Sequence, residues 1–123
     1  MSWLGKWKNQ FGSLLEITDE SNGRLEGTFR TALRDSGFYG QTVQIVGVHR
    51  GNCIAFSSVG GSPSGDRVVS YAGLLRNGKL ETAWFVVSDM SLTASREGEP
   101  AELKPLNWWR AVSTNVDTFE RTE

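Results

Sequence analysis

The sequence predicts an all-β protein, an eight-stranded antiparallel up-and-down barrel, on three observations. Turn signals recur at short, fairly even intervals: Gly12-Ser13, Ser21-Asn22-Gly23, Arg50-Gly51-Asn52, the loop Gly60–Asp66 and Asn77-Gly78. The runs between them alternate with the period of two that a half-buried strand requires. No run carries a convincing amphipathic helical stripe, and neither an internal repeat nor a low-complexity tract is evident. Closing the strands into a barrel is the economical solution, because closure removes both sheet edges. The 14 glycines and 5 tryptophans, against 3 prolines, suit tight turns around large aromatic side chains.

The first strand is Gly5–Ser13, GKWKNQFGS. Trp7, Asn9 and Phe11 share one face, and Lys6, Lys8 and Gln10 share the solvent face. An amide on an apolar face must be hydrogen-bonded or cost roughly 1–3 kcal/mol. Asn9 is therefore either tied into a buried network or held ready for a ligand. In the next strand Ser13, Leu15 and Ile17 oppose Leu14, Glu16 and Thr18; in the third, Leu25, Gly27, Phe29 and Thr31 oppose Arg24, Glu26, Thr28 and Arg30. Val43–Arg50 and Cys53–Val59 form a hairpin about Gly51. Val68–Leu75 and Lys79–Ser88 form another about Asn77-Gly78, the strongest short hairpin signal in the chain. Leu80, Thr82, Trp84 and Val86 share a face of the latter strand. The last strand, Asn115–Arg121, places Asp117 and Phe119 together. Ser88–Leu106, with Glu97, Glu99, Glu102, Pro100 and Pro105, reads as a solvated irregular loop. Trp3 reads as a surface or interface residue of the tail and Trp7 as core. Trp108 and Trp109 are adjacent and cannot face one way on a strand, so one packs on its own barrel and the other is exposed or in an interface.

Length and charge bound the function. A chain of 123 residues is one domain, spanning 1–123. With 13 basic and 14 acidic residues there is no basic stripe, so neither nucleic acid nor a membrane surface is expected as partner. No apolar run approaches a membrane span, and the opening MSWLGK is too short and polar for a signal peptide. The single Cys53 excludes an intrachain disulfide and fits either redox environment. Cys53 and His49 do not make a metal site. One His and one Cys also argue against metal hydrolysis and Cys/His nucleophilic catalysis. A non-enzymatic protein is expected. The enzymatic alternative, Asp117 as acid or base aided by Arg67 and Tyr71, is one that nothing in the sequence demands.

If Trp7 and Asn9 face inward, register carries Ser13, Thr31 and Asp117 inward with them. An inward carboxylate needs hydrogen bonds or a partner. Four polar groups converging inside an aromatic barrel form either a small-ligand site or a structural network that ties strand ends together.

These residues resemble the avidin and streptavidin family. Gly5-Lys-Trp-Lys-Asn-Gln-Phe-Gly-Ser13 is similar to that family's opening G-x-W-x-N-x-x-G-S, and Leu25-Glu-Gly-Thr-Phe-Arg-Thr31 to its L-x-G-x-Y-x-S/T/N strand. Leu80–Phe85 resembles the strand bearing a ligand-packing Trp. Asn107–Phe119 resembles the closing segment, with Trp109 eight residues before Asp117. Phe29–Ser57 resembles the dimeric bacterial branch. The resemblance covers roughly residues 4–121, with specific motifs at both ends and a weaker middle. It implies a barrel that holds biotin without chemistry, as a homodimer or homotetramer, in a secreted or periplasmic setting. It further implies that Asn9 and Ser13 donate to the ureido oxygen, and that Asp117 and Thr31 accept from the two ureido N–H groups. Trp84 would pack on the thioether ring, and Trp109 would cap a neighbouring subunit's site. A urea presents one acceptor and two donors, which this set matches.

The sequence also departs from the family. The ureido-binding Tyr is Phe29, and losing a buried bond of this kind costs on the order of 1.5–3 kcal/mol. A pocket Trp at the end of the fifth strand is replaced by Gly60 or Gly61. Two small hydroxyl residues become Arg67 and Val69, and the next pocket Trp becomes Tyr71. Arg67 is either a solvated loop residue or a guanidinium fork for a ligand carboxylate at the barrel mouth. A barrel turned to another small molecule is the alternative reading.

Overall fold

The computed structural model describes residues 2–32, 41–62, 65–93 and 102–122. Eight strands close into an antiparallel barrel: β1 (Gly5–Asn9), β2 (Leu14–Asp19), β3 (Arg24–Arg30), β4 (Thr42–Arg50), β5 (Cys53–Ser62), β6 (Gly65–Arg76), β7 (Lys79–Ser88) and, last in the chain, β10 (Val112–Arg121). Their order around the barrel is β1-β10-β7-β6-β5-β4-β3-β2. The first and last barrel strands meet, with Trp7 opposite Arg121 and Asn9 opposite Phe119. The expected topology is therefore the observed one.

Alternation decides what each strand turns inward. Leu15 and Ile17, Leu25 and Phe29, Ile54 and Phe56, and Leu80 and Phe119 are all buried and share one core with Trp7. At the Asn77-Gly78 turn both residues take positive φ, 54° and 75°. That is the two-residue geometry whose twist matches paired strands. Gly27 answers a different demand: a Cβ there would lie 1.9 Å from the Glu16 carbonyl oxygen, so β2 and β3 approach too closely for a side chain.

Five expectations need correction. Gly60–Asp66 is not a loop throughout, since β5 runs on to Ser62 and β6 starts at Gly65, with Gly61 paired to Asp66. Ser88–Leu106 is not one irregular loop. Within its described residues, β8 (Met90–Thr93) pairs with β9 (Glu102–Pro105) as a separate two-stranded sheet. Glu97, Glu99 and Pro100 lie outside the described residues. Trp3 is not a surface residue but is 1% exposed, its ring 5.9 Å from that of Trp7. Aromatic area is best hidden where a barrel end must be closed, and hydrogen bonds fix the segment there. The Trp3 carbonyl accepts from Trp7 Nε1 at 3.0 Å, and its N–H donates to Glu20 Oε2 at 2.6 Å. The Arg121 guanidinium lies 4.4 Å from the Trp7 ring and donates to the carbonyls of Leu4 and Ser2.

Trp108 and Trp109 do not divide between barrel and solvent. They sit on a one-turn helix, α1 (Trp108–Ala111), and are 75% and 70% exposed. Helical geometry buries Ala111 and turns both rings out. Phe11 does not continue the inward face of β1. The strand stops at Asn9, the chain turns at Gln10-Phe11, and Phe11 is half exposed at the cavity rim.

Candidate functional site

Where β1 ends, the barrel interior opens into a cavity of about 550 Å³. Asn9, Ser13, Thr31 and Asp117 line its inner end, and all four are buried. Phe29, Val69, Tyr71 and Trp84 form the aromatic and apolar wall, and Arg67 stands among the lining residues at the far ends of β6 and β7. The cavity thus brings together nine of the ten residues expected from sequence. Trp109 is the exception, since it projects into solvent from α1.

The inner end is set by the turn that stops β1. Asn9 Oδ1 accepts the backbone N–H groups of Phe11 at 3.0 Å and Ser13 at 2.9 Å. Two N–H donors on one side-chain oxygen fix which way the amide points. Its nitrogen then donates to Asp117 Oδ2 at 3.2 Å. One amide hydrogen is used there, which leaves the second for the cavity. Ser13 Oγ accepts from the Ala32 N–H at 2.8 Å, so its own proton can go to Thr31 Oγ1, 3.5 Å away, or to a guest. Asp117 keeps acceptor capacity beyond Asn9, because a carboxylate offers about four lone-pair sites. Its backbone carbonyl is held by Thr82 Oγ1 at 2.8 Å. The result is two donors and two acceptors within one desolvated corner.

Gln10 is a contributor that sequence reasoning missed. The ladder between β1 and β10 ends at Asn9 and Phe119, which leaves the next β10 amide without a strand partner. Gln10 Oε1 accepts that N–H, from Thr118, at 3.0 Å, and Nε2 lies 3.5 Å from Asp117 Oδ1. Alternation assigns Gln10 to solvent and it is exposed there; the turn at its position lets its side-chain amide reach back to β10. Ser58, Ser88, Ser113 and Asn115 also line the cavity. Their signal was present in the alternation of β5, β7 and β10, continued toward the mouth.

Tyr71 is the hub of the aromatic wall. Its ring stacks on Phe56 at 4.7 Å and 14°. It meets Phe29 at 5.8 Å, Phe119 edge-on at 6.2 Å and Trp84 at 6.5 Å. Burial, and then the charge of Asp117, push the Tyr71 phenol above its ordinary range, so it stays protonated as a donor. The indole nitrogen of Trp84 is buried and has no hydrogen-bond partner among the described residues. A buried N–H left so is a place where a guest or a water finds a use. Among the described residues no group of three His, Cys, Asp or Glu side chains could hold a metal. His49 instead donates from Nε2 to the Glu20 carbonyl at 2.7 Å.

A closed antiparallel barrel with polar groups gathered at one end of an aromatic interior defines the class: a small up-and-down barrel with a pocket along its axis. The model of the avidin family matches residues 1–122, and the chain belongs to that family. No curated protein sequence matches significantly. Among solved structures, apo shwanavidin is similar at 22% identity, TM-score 0.75, covering 100% of this chain and 98% of that one. The bradavidin2–biotin complex is similar at 16% identity and TM-score 0.72, with 100% of both chains covered. The rhizavidin–biotin complex follows at 20% identity and TM-score 0.71, covering 99% and 93%. At these identities the likeness is one of fold.

Proposed function

We propose that this barrel binds biotin, or a cyclic urea closely like it, without making or breaking a bond. The observation that carries the reading is the oriented amide of Asn9 facing Asp117 beside the Ser13 and Thr31 hydroxyls. Asn9 and Ser13 would donate to the ureido oxygen, and Asp117 and Thr31 would accept its two N–H groups. Trp84 would pack against the rest of the ring system. Phe29 removes one donor, and we assign its replacement to Tyr71, whose ring touches Phe29 and whose proton is held by burial.

The same reading includes a homo-oligomer, dimer or tetramer. Val46 and Val48 on β4, Val59 on β5, Val68 on β6, Phe85 and Val87 on β7 and Val116 on β10 are exposed. The register sets Val59 opposite Val68 and Val68 opposite Val87. An apolar band of this breadth on an outer barrel face, with Trp108 and Trp109 beside it in sequence, calls for a second copy. Trp109 would then reach a neighbour's cavity rather than its own. A secreted or periplasmic location belongs to the proposal through the family alone. Calorimetric titration with biotin, with light-scattering mass alongside, tests the reading. Heat at one site per chain in a particle larger than one chain supports it. A monomer that binds nothing contradicts it.

The alternative is a barrel turned to another small molecule. It is favoured by the loss at Phe29 and the gain of Arg67, both on the cavity lining. Tight biotin binding excludes it.

A further inference from the structure

The described buried polar side chains are tied into the fold, with one exception. Asn9, Ser13, Thr31 and Asp117 form the inner corner, and Thr82 holds the Asp117 carbonyl. The remaining one is Ser58 on β5. It is 5% exposed and lines the cavity, and among the described residues its hydroxyl has no hydrogen-bond partner. The oxygen is not sealed in the wall as the Trp84 indole nitrogen is, so it opens on the cavity. The wall around it is apolar: Val69 is its ladder partner, and Val43 and Tyr71 line the same side.

Topology sets this hydroxyl across the barrel from Asn9. In the closed order β5 is four strands from β1 in either direction. From Asn9 one ladder runs through Phe119, Leu80 and Leu75 to the carbonyl of Asn52, just before β5. The other runs from the adjacent Lys8 through Leu14 and Arg30 to Thr42. Continuing the register of Val46 with Ser57 by four residues carries it to Gly61. Strand tilt separates the two arrivals, and the level straight across the axis lies midway, at Phe56–Ser58. Phe56 is stacked on Tyr71, Ser57 turns outward to Ser70, and Ser58 points in.

We infer that Ser58 is a ligand-binding residue, and that the ring held in this barrel bears an oxygen on the edge opposite its urea. The inference rests on the cyclic-urea reading of the inner corner and names the other edge of that ligand. Eight strands spaced ~4.8 Å and tilted about 40° close at a backbone diameter of roughly 16 Å. The Asn9 and Ser58 side chains shorten this to about 10 Å between their polar atoms, the width of one bicyclic ring system with a hydrogen bond at each edge. A hydroxyl open to solvent-filled space is hydrated. A ring that fills the cavity expels that water, so it must offer an acceptor or leave a buried O–H unpaired. A thioether sulfur is a weak acceptor and a carbon edge is none, whereas a sulfoxide, ether or hydroxyl oxygen is a full partner. Ser58 thus discriminates between ligands that share one head.

The test titrates biotin and each of the two epimers of biotin sulfoxide into wild type, Ser58→Ala, Ser58→Cys and Ser57→Ala by calorimetry, with urea denaturation alongside. The epimer whose oxygen points to β5 should bind the wild type roughly tenfold more tightly than biotin does. Ser58→Ala and Ser58→Cys should bring that ratio to about one, since alanine has no donor and a thiol is a weak one. Ser57→Ala, on the outer face of the same strand, should keep the ratio. The urea midpoint of Ser58→Ala should equal or exceed that of wild type, because the hydroxyl holds no described residue of the fold. Biotin and both epimers binding the wild type alike, or an advantage that survives Ser58→Ala, overturns the assignment and leaves the cyclic-urea site standing. A urea midpoint clearly below wild type in Ser58→Ala makes the hydroxyl structural and overturns it as well. If none of the three compounds binds, the cyclic-urea reading itself fails and this inference falls with it.

Discussion

Replacing Asn9 with alanine removes three hydrogen bonds at once, and the structure says which partners suffer. The Ser13 N–H is buried and loses its acceptor at 2.9 Å, while the Phe11 N–H, at 3.0 Å, is partly buried. Asp117 loses a donor at 3.2 Å in a corner where it is 7% exposed. An unsatisfied buried group costs about 1–3 kcal/mol. The cavity lets water repay part of this to Asp117, and the rim lets Phe11 rehydrate. The net loss is then about 2–4 kcal/mol, a fall in melting temperature of roughly 8–16 °C for a domain of this size. Thermal unfolding followed by circular dichroism, paired with urea denaturation, reads it directly. A double-mutant cycle with Asp117→Ala should show a coupling of about 1 kcal/mol or more, because the two side chains share one bond. A melting temperature within about 2 °C of wild type would refute the reasoning, since the turn would then hold its shape without the side chain said to organise it.

Three further outcomes are expected. Gly27→Ala should cost about 1–3 kcal/mol or prevent soluble expression, because its Cβ would lie 1.9 Å from the Glu16 carbonyl oxygen; a wild-type urea midpoint counts against that close approach. Tyr71→Phe should weaken biotin roughly tenfold with little loss of stability, and Phe29→Tyr should restore it; no change in affinity removes Tyr71 from the donor set. Glu20 accepts from Ser2 Oγ and the Trp3 N–H, which hold its carboxyl below the ordinary 4.5. A lowered folded value means the stabilisation is full above that ordinary value and drains as pH falls beneath it. Tryptophan fluorescence should therefore report loosening of Trp3 in acid, and Glu20→Gln should flatten the profile. A wild-type profile already flat below pH 4.5 denies the Glu20 anchor.

The barrel was legible because period-two alternation and turn residues are local signals, and each strand carried its own. Asn9, Ser13, Thr31 and Asp117 were legible for the same reason: once one residue faces inward, register delivers the others. What escaped depended on contacts between distant segments. Nothing around Trp3 reveals that Glu20 and Arg121 fasten its segment across the barrel end. Gln10 sits where alternation points outward and is exposed, and its bond to the Thr118 N–H depends on the ladder ending at Asn9. The short helix carrying Trp108 and Trp109 is a single turn, below the length at which helical periodicity can be seen.

The most direct test of the central claim is calorimetric titration of the purified, ligand-free protein with biotin, repeated with Asp117→Ala. Exothermic binding at one site per chain is expected, weakened at least tenfold in the variant. Absence of heat, or equal affinity in both proteins, would contradict it and leave the inner cluster as a structural tie between strand ends.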